Sequence, residues 1–223
     1  MMVALVLIHG FAYSAFAEDI TAAVRAANAA TFGLTGGTEY SASYPISKAF
    51  DGLYNNDNAR AMISPASGYP PIAVYYHISD DFCPGTGVVV TAFTMRRAPN
   101  YFDSERTPLR MRLEASPSGD ANADDWVLLA ENYEDFPGCE SGHTPTEAEN
   151  SFTVGVPRFR QGAYRHYRFV FNPRRTFVND FHELFLEGSV SGGSMPERLT
   201  WNGGSASWDA STPLWKNGDS SAR

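Results

Sequence analysis

The chain has 223 residues and a formal charge of −8, with 19% charged and 13% aromatic residues, 19 glycines and 14 prolines. That length suits one sizeable domain with some extra chain, and two domains do not fit comfortably. The acidic balance excludes nucleic acid and anionic membrane as main partners, because phosphate binding needs a basic face; the Gly/Pro-rich mix favours a loop-rich extracellular β protein over a helical cytosolic enzyme.

Residues 1–17 read as a secretory signal: a short apolar stretch closes on Ala15-Phe16-Ala17, small at its first and third positions as signal peptidase requires, though without a basic start. A buried N-terminal helix is the other reading. The stretch is too short to span a bilayer, and nothing downstream is apolar enough to insert into one. In the segment 18–37, the alanine-rich run Asp19–Thr31 predicts one short helix capped by Asp19 and broken by Gly33–Gly37.

From 38 to 189 the apolar runs are short and strand-like. Ile72–Ile78 and Val88–Met95 are rich in β-branched and aromatic residues. Over Leu109–Leu113 the arginines alternate with Leu109, Met111 and Leu113, which predicts a strand with one wet face. Tyr164–Phe171 predicts another. Clusters of Gly, Pro, Ser and Asp separate these runs, and many short strands with long polar connections predict a β-sandwich. Export would put Cys83 and Cys139, the only 2 cysteines, in an oxidising compartment, where a bridge would be worth about 4 kcal/mol in the chain-entropy model. Two free thiols or a metal pair are the alternatives, and no Cys-x-x-Cys spacing supports the latter.

A linker, 190–198, precedes a tail of different character, 199–223. It carries Trp201, Trp208 and Trp215 in the pattern Leu-Thr-Trp-Asn-Gly-Gly, Trp-Asp, Leu-Trp. This resembles the opening of the β-strand repeat associated with bacterial autotransporter passengers. Such repeats need stacked neighbours to bury their faces, so the chain is expected to be part of a longer surface protein. A disordered tail is the other reading.

Four segments in order carry a second resemblance: Lys48-Ala49-Phe50-Asp51-Gly52-Leu53, Arg106–Ser116, Trp126-Val127-Leu128-Leu129 and His182-Glu183-Leu184-Phe185-Leu186-Glu187-Gly188. Together they resemble the discoidin, or coagulation-factor type C, family, which includes carbohydrate-binding modules of bacterial glycoside hydrolases. The resemblance implies an all-β jelly-roll sandwich of the galactose-binding type over 38–189, with a short N-terminal helix before it. It also implies a structural calcium ion held by Lys48 and His182 through carbonyls, Asp51 and Glu183 through carboxylates, and Asn56 where the family has Thr. Leu53 stands where many members carry a second Asp, so only its carbonyl could contribute, with Asn55 or Asp57 able to compensate. The plainer reading of Asp51 is a turn cap. The family's Trp after the Asp-Gly loop is missing, and Met62 lies nearby. Arg106, of the Arg-x-Pro segment, and Arg168 read as structural.

Sugar recognition needs an aromatic face against pyranose C–H groups and planar polar side chains for the hydroxyls. Tyr101 and Phe102, beside Arg96, Arg97 and Asn100, have that chemistry, as do Tyr54 and Tyr69. Tyr101, Phe102 and Arg97 are the expected ligand contacts. Enzymatic patterns are missing: no His-x-x-x-His, no His-Glu-x-x-His, no Gly-x-Ser-x-Gly. The expectation is a non-catalytic, secreted or cell-surface carbohydrate-binding module with a glycan as partner. The alternative is a protein-binding or adhesion module of an autotransporter-like surface protein.

Overall fold

The computed structural model describes residues 18–53, 60–84, 87–97, 106–135, 151–173, 178–190, 199–201 and 215–217. The signal, Tyr54, Asn55, Asn56, Asp57, Asn100, Tyr101, Phe102, Cys139, Trp208 and most of the linker lie outside them. Strand β1 (Glu18–Asp19) leads into helix α1 (Ile20–Ala26), whose N-cap is Asp19 as expected, its carboxylate accepting the Ala22 N–H at 2.9 Å. The helix stops before Thr31. Asn28 turns to a left-handed φ of 51°, and the chain enters β2 (Ala30–Thr35), paired with β5 (Ile72–Ile78). A helix this short has little stability of its own, whereas Thr31 and Phe32 suit a sheet ladder.

Two five-stranded sheets make the sandwich. The first runs β1, β13 (Glu183–Val190), β6 (Val88–Arg96), with β9 (Ser151–Gly155) and β10 (Ala163–Tyr164) on successive stretches of β6. The second runs β2, β5, β11 (His166–Phe171), β7 (Arg112–Ser116), β8 (Val127–Glu131). A smaller sheet joins β12 (Asn179–Phe181), β4 (Ala61–Pro65) and β3 (Gly37–Glu39). Beyond the sandwich, β14 (Leu199–Trp201) pairs with β15 (Trp215–Asn217). Strands β1 and β2 belong to the segment 18–37, so that segment is hydrogen-bonded into the sandwich through β13 and β5.

Two expected strands differ in detail. Tyr164–Phe171 is divided, because the chain crosses from the first sheet to the second at Arg165. The strand expected from Leu109 starts at Arg112, since the Met111 N–H is taken by Asn132 Oδ1 at 2.6 Å. The alternation is real, with Met111 and Leu113 buried and Arg112 exposed.

The core lies between the sheets. Phe93 on β6 meets Phe169 on β11 edge-on at 5.9 Å between ring centroids, and Phe50 lies 6.0 Å from Phe169 and 4.7 Å from Tyr76. The buried Tyr167 hydroxyl donates to the Val88 carbonyl at 2.6 Å, linking the sheets. Cys83 is buried in this core, and burial pushes its pKa up. Its expected partner, Cys139, lies outside the described residues.

Candidate functional site

Ile46–Phe50 form a 3-10 turn that buries Ile46, Ala49 and Phe50. The Ile46 N–H donates to Glu39 Oε1 at 2.8 Å and anchors its start. Asp51 ends the turn, and Gly52 follows at φ 79°, a conformation that favours glycine. The Leu53 N–H donates to Asp51 Oδ1 at 2.8 Å, so the Asp51 carboxylate does cap its own turn. The Gly52 N–H points the other way, to both oxygens of Glu183 at 2.9 and 3.0 Å, across 131 positions of sequence. The loop and the last strand therefore meet, as the resemblance implied.

Glu183 is fully buried. Its charge is met in part by Arg25, whose Nη1 lies 3.6 Å from Glu183 Oε1 and donates to the Phe50 carbonyl at 3.0 Å. The guanidinium sits so close that a Cβ on Gly52 would lie 2.6 Å from Nη2. Arg25 was missed in the sequence; its only signal is a basic residue in the last turn of α1. Burial raises the Glu183 pKa to about 8, the Gly52 N–H opposes this, Asp51 adds to it, and Arg25 only partly offsets it.

The other expected calcium ligands among the described residues, Lys48, Leu53 and His182, would each contribute a backbone carbonyl, and their side chains lie as follows. The Lys48 ammonium lies 5.5 Å from the centroid of the Tyr44 ring. The Leu53 side chain is half-exposed. His182 is buried, with its N–H on the Arg96 carbonyl at 2.9 Å, and desolvation with nearby Arg60 lowers its pKa to about 4. Asn56 lies outside the described residues, among which no group of three or more His, Cys, Asp and Glu side chains could hold a metal. Asp51, Glu183 and the loop carbonyls are nonetheless hard oxygen donors of the kind calcium takes. A buried carboxylate beside a second carboxylate, under-compensated by Arg25, is a charge that such a cation would relieve. In donor chemistry the residues fit the ion.

Among the expected sugar contacts, Arg97 is the one described, and it is not at the surface. It is 5% exposed, with its guanidinium 4.9 Å from the Phe152 ring centroid; the flat cation finds a ring on the neighbouring strand β9 and is covered there. Tyr69 is half-exposed at the turn before β5, with φ 53°. Arg106 accepts the Asp180 N–H on its carbonyl at 3.1 Å. Arg168 faces Glu114 on the adjacent strand, its Nε donating to Oε2 at 2.6 Å, and stacks 4.3 Å from the Trp126 ring centroid. The paired, sheet-surface role read for Arg168 agrees with these contacts. Beside Arg25, a pocket of about 190 Å³ is lined by Asn28, Phe32, Phe50, Asp51 and Tyr76, and it is smaller than ordinary ligand pockets.

No protein-family model matches the sequence, and no curated protein matches it. Solved structures do match in fold. A fucolectin from the serum of striped bass (Morone saxatilis) superposes with TM-score 0.52 at 11% identity, covering 79% of this chain and 51% of that one. The carbohydrate-binding module CBM32-3, from a family 31 glycoside hydrolase of Clostridium perfringens, superposes with TM-score 0.50 at 13% identity, covering 78% of this chain and 96% of that one. A structure of the CBM32-1, CBM32-2 and M60 catalytic domains of Clostridium perfringens ZmpB gives 0.50 at 12% identity, covering 78% of this chain and 15% of that one. The chain thus has the discoidin, or galactose-binding-like, jelly-roll fold of family 32 carbohydrate-binding modules and fucolectin.

Proposed function

We propose that the chain is a non-catalytic carbohydrate-binding module of a secreted or surface-displayed bacterial protein. The observation that supports it most is the jelly roll itself, a fold found in a lectin and in carbohydrate-binding modules. Glycan contact is assigned to Tyr101 and Phe102, in the connection between β6 and β7, whose rings suit the apolar face of a pyranose. Arg97, stacked on Phe152, anchors the start of that connection. A glycan array is expected to give binding to ligands bearing galactose, N-acetylhexosamine or fucose. Replacing Tyr101 or Phe102 by Ala should weaken that binding at least about tenfold, as loss of one stacked ring would. Binding to proteins with none to glycans would favour the second reading, an adhesion module of an autotransporter-like surface protein. That reading draws on the β14–β15 pairing beyond the sandwich.

The proposal includes a structural calcium ion, held by the Asp51 and Glu183 carboxylates with carbonyls of Lys48, Leu53 and His182 and with Asn56. It would supply the positive charge that Arg25 delivers only in part. Removing calcium should then destabilise the protein by about 2.7 kcal/mol relative to a hundredfold excess of ion over its dissociation constant. Asp51→Ala should abolish that dependence. A melting temperature equal with and without chelator would count against the ion and leave the glycan reading standing.

A further inference from the structure

Away from this site, on β5 and β11, two histidines face each other with no role in anything described above. His77 and His166 are directly opposed in the antiparallel register. Their Nδ1 atoms lie 2.9 Å apart, and their rings are inclined at 63° with centroids 5.1 Å apart. Both side chains are half-buried and held from the sides. The Tyr75 ring stacks on His77 at 5.9 Å, and Gly119 presses so closely on His166 that a Cβ there would come within 2.5 Å of the ring. Paired imidazoles with restricted rotation are ligands whose ordering is largely complete before an ion arrives.

We propose that His77 and His166 form a bidentate site for a divalent transition-metal ion, with Cu(II) preferred. The affinity order of the divalent ions carries the choice, and the spacing is compatible with it. With metal–nitrogen bonds of about 2.0–2.1 Å, two adjacent positions of a square-planar or tetragonal ion lie about 2.9 Å apart, whereas a tetrahedral ion needs about 3.3 Å. The observed 2.9 Å is the length of the hydrogen bond between the rings and already lies near the first spacing, and Cu(II) binds nitrogen donors more tightly than Ni(II) or Zn(II). To receive the ion, the proton shared between the two Nδ1 atoms moves to an Nε2, leaving both Nδ1 lone pairs free with no net proton release. Among the described residues no third His, Cys, Asp or Glu completes the set. Asp125 accepts from the hydroxyl of Ser116, which lies opposite His166 in the ladder, and from the Ser118 N–H, at 2.7 and 3.1 Å. Water therefore takes the remaining positions.

The test is titration of the full, tag-free chain with Cu(II), Ni(II), Zn(II) and Ca(II), read by calorimetry and, for copper, by electron paramagnetic resonance. One Cu(II) per chain with two imidazole nitrogens in its hyperfine pattern is expected, with Ni(II) and Zn(II) at least tenfold weaker and Ca(II) without effect here. His77→Ala and His166→Ala should each weaken copper binding at least tenfold. His166→Gln, which keeps a polar partner for His77, guards against loss of fold. Copper bound equally by all three variants, or a zinc affinity above that for copper, would overturn the proposal. Because calcium and glycan binding use other residues, neither result depends on the other readings.

Discussion

Glu183→Gln is expected to stabilise the chelated protein above about pH 8 and to remove most of its loss of stability with rising pH. The Glu183 carboxyl titrates at about 8 in the folded state against 4.5 ordinarily, chiefly through burial. A group raised in this way is neutral at low pH at no cost. As pH rises from 4.5 towards 8 the fold must hold either an extra proton or a buried charge, and stability falls. At about 1.4 kcal/mol per unit the full penalty approaches 5 kcal/mol. Glutamine keeps an acceptor for the Gly52 N–H, and the penalty is already net of the attraction to Arg25, so the expected gain is a few kcal/mol.

His182 acts in the opposite sense. Its folded pKa of about 4 lies below the ordinary 6.5, so its contribution is intact above 6.5 and is lost as pH falls towards 4. Between 6.5 and 4.5 the two groups oppose each other, with His77 and His166, whose pKa values burial also lowers, adding to the His182 side, so the fall of stability with rising pH should be confined to the range above about 6.5. Urea unfolding at half-unit steps from pH 4 to 9, with and without chelator, measures this. A parent protein whose stability does not change from pH 6.5 to 9 in chelator would mean that Arg25 alone neutralises Glu183. A slope that disappears only when calcium is added would support the bound ion.

Phe169→Ala should cost about 3–5 kcal/mol, the range for removing a fully buried phenyl ring, and lower the melting temperature by on the order of 10 °C. Phe169 is 0% exposed and touches Phe93 of the opposite sheet and Phe50 of the turn before Asp51. Its loss opens a cavity where three parts of the fold join, so the seat of the Gly52–Glu183 contact should loosen as well. Phe159, 83% exposed, is the control, and its replacement by Ala should change stability by less than about 0.5 kcal/mol. Equal effects from the two substitutions, by thermal or urea unfolding, would contradict the assigned core.

Strands such as Ile72–Ile78 were legible because their residues favour a pleated, buried ladder whatever partner they meet, and the observed β5 has those limits. The Asp19 cap and the Asp51-Gly52 turn were legible for a similar reason: a short carboxylate or a glycine acts on backbone within three residues of itself. The pairing of the loop with Glu183 was reached only through a resemblance in segment order. No local rule connects residues 131 positions apart. Arg25 shows what that leaves out. Its role depends on how α1 lies along β13, where the Leu186 N–H donates to Thr21 Oγ1 at 2.7 Å, and a packing angle leaves no trace in residue types. The helix end was misjudged for the same reason: alanine content describes the isolated segment, whereas the ladder offered by β5 decides it. Arg97 and the His77–His166 pair follow suit. Arginine beside an aromatic loop looks like a ligand contact until a neighbouring strand presents Phe152 to cover it, and two histidines far apart in sequence become one site only when strand register sets them opposite each other. Residue chemistry alone determined strands such as Ile72–Ile78, local turns such as Asp51-Gly52 and which side chains are ionisable. The tertiary structure alone decided which of those groups are desolvated together, because burial and partner distance, set by the packing of the sheets, convert an ordinary carboxylate or imidazole into a site.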